Sequence, residues 1–266
     1  MSHPAVRYHS DDHIGVITLD RPDNRNSMTP ELLAAFADAA DAAIADAGAR
    51  VVVITGSGRC FSAGADFRSQ IQADGADEGR TPQAHERSYA MYRPFLRVLD
   101  IEVPVIGALN GHAIGGGFGL SLVCDLRIAE RESLYGANFA KLGLHPGMAI
   151  SYLLPRLIGP AKAAELLFTG RRITGAEAMD LGLVNRAVSG GAAVLAEAMT
   201  MARDIAASAP IAVRMMKRSF YAGLGWDVRR GAMDEAFAQA VTVDTEDARE
   251  GMKALLEKRA PEFRGR

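Results

Sequence analysis

The stretch 103–125 constrains the fold more than any other part of the chain. An apolar run, Val103-Pro104-Val105-Ile106-Gly107-Ala108-Leu109, leads into Asn110-Gly111-His112-Ala113-Ile114-Gly115-Gly116-Gly117. Beyond the glycines, Phe118, Leu122 and Val123 recur at helical spacing, which predicts a helix starting near Gly116. A strand, a glycine-rich turn and a helix start leave bare backbone N–H groups at the positive end of a helix. Negative charge suits such a place: a phosphate, or a carbonyl oxygen becoming an enolate or a tetrahedral adduct. Three glycines also serve plain packing, because they admit positive φ and let a helix approach a strand closely. A nucleotide-binding loop is the weaker alternative. No Gly-Lys-Ser/Thr follows, and the glycines lack the spacing of a dinucleotide fingerprint.

The rest of the chain reads as alternating strands and helices. Residues 6–20 form a hairpin around Asp11-Asp12-His13, and 51–56 is a continuous apolar strand, as a sheet covered on both faces requires. Thr29-Pro30-Glu31 opens a helix that Gly48 ends. Thr174, with Glu177 three residues on, has the spacing of a capping box. Helices are expected over 84–99, 148–157 and 160–168, and short strands over 125–129, 134–136 and 182–188. Loops are expected over 21–28, 58–68 and 139–146, and the polar run 69–86 reads as a mobile loop. From Gly191 on the chain is helical, with breaks near Pro210, Gly223 and Asp244. This order argues for an α/β core, 1–190, and a helical C-terminal region, 191–266.

With 266 residues, 48% of them hydrophobic, the chain can bury a substantial core. A net charge of −2 exerts no strong pull on nucleic acid. No run approaches the roughly 20 apolar residues of a membrane span, and the polar N-terminus does not read as a leader. Cys60 and Cys124 are too few for a disulfide framework or a metal cluster, and fit a reduced cytoplasm.

Three segments carry a resemblance when taken together. They are Arg21-Pro22 with Arg25-Asn26 and Met28, then Phe61-Ser62-Ala63-Gly64-Ala65-Asp66-Phe67, then Asn110 with the glycine turn. In this order and spacing they resemble the crotonase family, which includes enoyl-CoA hydratases and isomerases. The similarity continues through Cys124-Asp125-Leu126-Arg127, Leu153-Leu154-Pro155-Arg156-Leu157-Ile158-Gly159 and the stretch 174–185. It implies an α/β fold, a crotonase-like spiral of ββα units with a C-terminal helical trimerisation region. It implies a homotrimer or dimer of trimers, an acyl-CoA thioester as ligand, and no cofactor beyond the coenzyme A of the substrate. The backbone N–H groups of Ala65 and Gly116 would hold the thioester oxygen, with Ala63, Asp66, Gly115 and Gly117 in the same loops. Arg25 and Arg68 would meet the coenzyme's phosphates, the alternative for each being a solvated surface charge. Phe263 resembles a tail residue that reaches a neighbouring ligand.

The chain departs from the family pattern where acid–base chemistry is concerned. The two glutamates of the hydratases fall at Gly119 and Phe139, and the acid that isomerases and dehalogenases place after a proline falls at Gly147. None of these side chains transfers a proton. The segment Gly117-Phe118-Gly119-Leu120-Ser121-Leu122 resembles 4-chlorobenzoyl-CoA dehalogenase. That enzyme's Asp, Trp and His fall at Gly147, Phe139 and Tyr92, so its activity is rejected. His145, of a residue type that can act as base or acid, and Tyr92 remain as candidate acid–base groups. His112 and Asp66 read as structural, and Asp125 as pairing at a helix end. His85 and Glu86, in the polar segment, could swing over the acyl group. The reading is an enzyme that acts on an acyl-CoA thioester through an oxyanion-stabilised enolate, in the manner of enoyl-CoA hydratases and isomerases. The alternatives are an acyl-CoA-binding protein without catalysis and a thioester hydrolase. Phe139 in place of a carboxylate suits a hydrophobic or aromatic acyl group.

Overall fold

The apolar runs of the sequence become the strands of one large sheet, and the short segments between them become a second, smaller one. The computed structural model describes residues 5–65, 84–224, 241, 245–257 and 259–266, without the side chains of 84–87, 255 and 256. The first elements are β1 (Val6–Asp11), β2 (Ile14–Leu19), α1 (Pro30–Ala45), β3 (Val51–Gly56), β4 (Cys60–Ser62) and α2 (Ala84–Leu96). Next come β5 (Val105–Leu109), β6 (His112–Ile114), α3 (Gly116–Val123), β7 (Leu126–Glu130), β8 (Leu134–Gly136), α4 (Ile150–Ile158) and α5 (Pro160–Thr169). The remainder is β9 (Ile173–Thr174), α6 (Gly175–Asp180), β10 (Arg186–Val188), α7 (Gly191–Ala206), α8 (Pro210–Gly223) and α9 (Glu246–Glu257).

The large sheet has the order β1-β2-β3-β5-β7-β10, antiparallel only between β1 and β2. The small sheet has the order β4-β6-β8-β9. Each of β3, β5 and β7 is followed at once by a short strand of the small sheet, so the chain climbs as a spiral of ββα units, as the resemblance implies. Period-two alternation divides the large sheet between two cores. Ile14, Val16, Val51, Val53, Ile106 and Ala108 face Val194, Ala198, Ala202 and Ala206 of α7. Those alanines recur every four residues and let the helix lie close to the sheet. Ile17, Leu19, Val52, Ile54, Val105 and Leu109 face the other core, with Phe118 and an edge-on pair of rings, Phe36 and Phe95, 4.7 Å apart. Both faces are therefore covered, as the apolar strand 51–56 requires.

Two expected caps form. Thr29 Oγ1 accepts the Leu32 N–H (3.2 Å) and Thr174 Oγ1 accepts the Glu177 N–H (3.2 Å). Several boundaries differ from expectation. β4 lies inside the expected loop 58–68, and β6 inside the expected glycine turn; three residues are too few to show alternation. α1 closes on Asp46 before Gly48, and α2 ends at Leu96, with Pro94 in its last turn. The loop expected at 139–146 contains a 3-10 turn, Asn138–Leu142. The helix expected from 148 starts at Ile150, because Met148 and Ala149 are left-handed (φ 57° and 54°). The strand expected over 182–188 is confined to Arg186–Val188. Most of the expected mobile loop, residues 69–83, lies outside the described residues, as do the side chains of His85 and Glu86.

The 190/191 boundary falls at the start of α7, which forms one wall of the sheet's second core. α8 is tied back by Lys217, whose Nζ meets Asp125 (2.8 Å) and the carbonyls of Ile101 (2.8 Å) and Val103 (2.9 Å). The Tyr221 hydroxyl donates to Asp125 at 2.6 Å, and burial together with that carboxylate raises the phenol's pKa. Asp125 thus pairs just beyond α3, as expected.

Candidate functional site

The glycine-rich end of α3 is built on a loop that one buried amide holds in shape. Arg25 and Asn26 are both left-handed (φ 60° and 53°), a conformation asparagine tolerates better than most residues. The Asn26 side chain is fully buried, with 0% exposure. Its Oδ1 accepts the Arg21 N–H (2.8 Å), and its Nδ2 lies within reach of the carbonyls of Ser57 (3.1 Å), Cys60 (2.9 Å) and Phe61 (3.2 Å). The two loops are then zipped along their backbones. Ser62 Oγ donates to the Asn26 carbonyl (2.8 Å), the Ala63 N–H to the Arg25 carbonyl (3.0 Å) and the Met28 N–H to the Gly64 carbonyl (2.8 Å). The bridge between Met28 and Ala65 uses the hydrogen-bonding groups of Met28, so those of Ala65 point the other way. Sequence reasoning quoted Asn26 within a motif and gave it no role. A polar residue between two turn-forming residues and a buried Met was the signal available.

Gly64 brings this pair of loops against the start of α3. Its φ is +83°, and a β-carbon there would lie 2.5 Å from the Ile114 carbonyl oxygen and 2.9 Å from the Gly116 nitrogen. Gly115 caps the helix at φ +56°; its N–H donates to the Gly136 carbonyl (2.9 Å) and its carbonyl accepts from Gly119 (3.0 Å). A β-carbon on Gly116 would overlap the Met28 thioether, and one on Gly117 the Ser62 backbone. Gly116 and Gly117 open the helix, so their N–H groups have no intrahelical acceptor. The loop that carries Ala63 and Ala65 thus lies against the start of α3, where Gly115, Gly116 and Gly117 follow one another.

One turn along α3 the surroundings change. A β-carbon on Gly119 would overlap Met148 Cβ and come within 3.0 Å of its Cγ. A β-carbon on Gly147 would overlap the Tyr92 hydroxyl and lie 2.5 Å from Tyr92 Cζ. Phe139 stands on the other side, its ring 3.7 Å from where a β-carbon on Gly115 would sit. Met148 is 1% exposed and Tyr92 half-buried. The space beside Gly119 is therefore filled by the Met148 side chain and that beside Gly147 by the Tyr92 phenol, with the Phe139 ring near Gly115.

The other candidates lie further out. His145 is exposed, and its Nδ1 is 2.7 Å from the Pro146 carbonyl, so that nitrogen carries the proton. His112 Nδ1 accepts the Leu134 N–H (2.8 Å), a structural bond between β6 and β8. Arg25 is exposed. Asp66 and Arg68 lie outside the described residues. Phe263 packs against Gly251 of its own chain, and its carbonyl accepts from Arg50 (2.8 Å). Both cysteines are free; burial raises the Cys60 thiol and pushes Cys124 up to about 12, so neither is a ready thiolate. A separate cavity of about 620 Å³ lies at the end of the large sheet, bordered by Arg59, Asn110, His112, Glu130 and Leu195. Its Glu130 is held by the N–H groups of Gly190 (3.1 Å) and Glu132 (3.0 Å), and Ala63, Ala65, Gly115, Gly116 and Gly117 do not line it. Among the described residues no cluster of three or more His, Cys, Asp or Glu is placed to hold a metal ion.

The chain matches the family described as enoyl-CoA hydratase/isomerase over residues 9–266. It is 38% identical to the mouse protein named enoyl-CoA hydratase domain-containing protein 2, mitochondrial, covering 94% of this chain and 84% of that one. It is 35% identical to (E)-benzylidenesuccinyl-CoA hydratase of Thauera aromatica, covering 95% and 96%. The crystal structure of an enoyl-CoA hydratase from Bacillus anthracis superposes with a TM-score of 0.90 at 34% identity, covering 98% of this chain and all of that one. The chain belongs to the enoyl-CoA hydratase/isomerase family and is an enzyme of that general acyl-CoA type.

Proposed function

We propose that the enzyme works on an acyl-CoA thioester whose carbonyl oxygen is held by the N–H groups of Ala65 and Gly116, so that charge gathering there as an enolate is stabilised. The observation that carries this reading is the contact between Gly64 and the Gly116 nitrogen. It sets the loop that carries Ala65 against the start of α3, where the Gly116 N–H has no intrahelical acceptor. Preorganised amides in such a place stabilise an oxyanion without moving, and losing one typically costs about 3 kcal/mol in the barrier. Gly119, Phe139 and Gly147 stand where related enzymes place carboxylates, so proton transfer falls to another group. Tyr92, packed on Gly147, favours that role over the exposed His145. Ala63, Asp66, Gly115, Gly117 and Phe139 complete the loops around the thioester.

Arg25 and Arg68 serve the phosphates of the coenzyme, and no metal or separate cofactor is required. The working form is a homotrimer or dimer of trimers. In support, α8 has no buried residue within one chain and leaves Met216 and Phe220 exposed. Phe263 in that assembly contributes near a neighbouring ligand. We place the enzyme in the cytoplasm, in keeping with its free, buried cysteines; no described helix is long and apolar enough to cross a membrane.

The test is a turnover screen of the purified protein with short, medium, branched and aromatic enoyl-CoA esters. Loss of the conjugated enoyl absorbance is followed for hydration, and thiol release for hydrolysis. Turnover of at least one enoyl ester without thiol release is expected, with Tyr92→Phe slower by 10-fold or more and His145→Ala nearly unchanged. Tight binding of saturated esters without any turnover would sink the enolate reading.

A further inference from the structure

Gly119 and Gly147 are more than missing acids, because each vacates a volume that a side chain from another element fills. Met148 comes from the segment before α4, and Tyr92 from α2. A β-carbon on either glycine is incompatible with the side chain now there. Met148 reaches its place through a left-handed backbone (φ 57°), followed by another at Ala149 (φ 54°). Two successive non-glycine residues in that region cost conformational energy, which persists only where the surroundings over-determine the geometry. Around Gly115, Gly116, Gly119 and Gly147 the nearest side chains are then the ring of Phe139, the thioether of Met28, the Cβ and Cγ of Met148, and the ring of Tyr92.

Rings and thioethers share one preference. They gain most from a flat, polarisable partner, by offset or edge-on stacking and by sulfur–ring contact. A short linear chain would leave part of these walls without contact. We propose that Met148 and Tyr92 are the specificity-determining residues of the acyl end, and that they fit it to an aryl-bearing acyl thioester in preference to a short linear one. This rests on the thioester reading above and names the class of acyl group.

Saturated esters, which cannot be hydrated, allow a test by calorimetry on the full-length protein. The probes are 3-phenylpropanoyl-CoA, butanoyl-CoA and free coenzyme A. The wild-type protein is expected to bind the phenyl ester at least 10-fold tighter than the butanoyl ester. Met148→Ala and Tyr92→Ala should each bring that ratio below 3, whereas the volume-keeping Met148→Leu and Tyr92→Phe retain it. A wild-type ratio near one overturns the proposal, as does a ratio that stays at 10 in both folded alanine variants. If an alanine variant does not fold, by circular dichroism, Met148→Val or Tyr92→Leu takes its place under the same criterion. Esters that bind no better than free coenzyme A would instead overturn the thioester reading itself.

Discussion

Two regions around α3, its start and the turn that follows, use glycine for opposite purposes. At its start, Gly64 and Gly116 let two backbones approach closely, with the Met28 thioether against Gly116. One turn on, Gly119 and Gly147 make room for Met148 and Tyr92. A backbone contact cannot yield without moving whole strands, whereas a methionine or tyrosine can rotate away. The same residue type therefore marks a rigid backbone contact in one region and an exchange of volume in the other. What distinguishes them is the neighbour that a β-carbon would meet.

The largest effect should come from Gly64→Ala, which strikes the rigid region. The new methyl would press on the Ile114 oxygen at 2.5 Å and the Gly116 nitrogen at 2.9 Å, at a φ of +83°. About 1–3 kcal/mol of backbone strain is expected, with a loss of turnover of about 10²–10³-fold as the amides move apart. Steady-state kinetics check it; a rate within threefold of wild type would erase the distinction between the regions. Asn26→Ala comes next. It leaves the carbonyls of Ser57, Cys60 and Phe61 and the Arg21 amide short of a buried partner, which should cost about 3 kcal/mol in a denaturant melt and lower turnover with it. An unaltered melt would remove Asn26 as the pin of the first two loops.

The softer region calls for a double-mutant cycle. Gly119→Glu should destabilise by about 1–3 kcal/mol through overpacking, and Met148→Ala by about 2–4 kcal/mol through the space it leaves. Together they should cost at least about 1 kcal/mol less than their sum, because the new side chain enters the volume the other gave up. Strict additivity in urea unfolding would show that the two positions do not share that volume.

How much of this was legible in the sequence follows the same division. The continuous strand 51–56, the Thr29 and Thr174 caps and the helix start at Gly116 were readable, because local periodicity and capping chemistry determine them. The small sheet was not, since β4, β6 and β8 are three residues long and β9 only two, and their pairing is decided by the spiral. The backbone-built end of the site was readable as two small-residue loops. The other end was readable only as a set of vacancies: nothing in the order of residues says that Tyr92 lies on Gly147, 55 positions away, or that Met148 turns left-handed to reach Gly119. Asn26 escaped notice for a related reason, as its partners at 57, 60 and 61 lie 31 to 35 positions further along the chain.

The smallest effect belongs to a contact remote from both regions, and it sets the background against which the others are judged. The Tyr8 hydroxyl donates to Asp46 Oδ2 at 2.7 Å, joining the first hairpin to the end of α1. Burial, then the Asp46 carboxylate, raise Tyr8 from 10.0 to about 12, and the same hydrogen bond lowers Asp46. The signs follow from linkage. The raised phenol stabilises the fold fully below pH 10.0 and loses that contribution as pH climbs through about 12. The lowered carboxylate contributes above its ordinary 3.8 and ceases to as pH falls through its folded value. Tyr8→Phe should therefore cost about 1 kcal/mol, roughly 2–4 °C in Tm, at neutral pH. Thermal melts across pH should show the gap to wild type closing in strong acid and again in strong alkali, with turnover unchanged. A gap that persists undiminished in acid would mean that Asp46 is not the partner that matters. A fall in turnover would mean that the hairpin is mechanically coupled to the rigid region, and the contrast between the two regions around α3 would then need a third term.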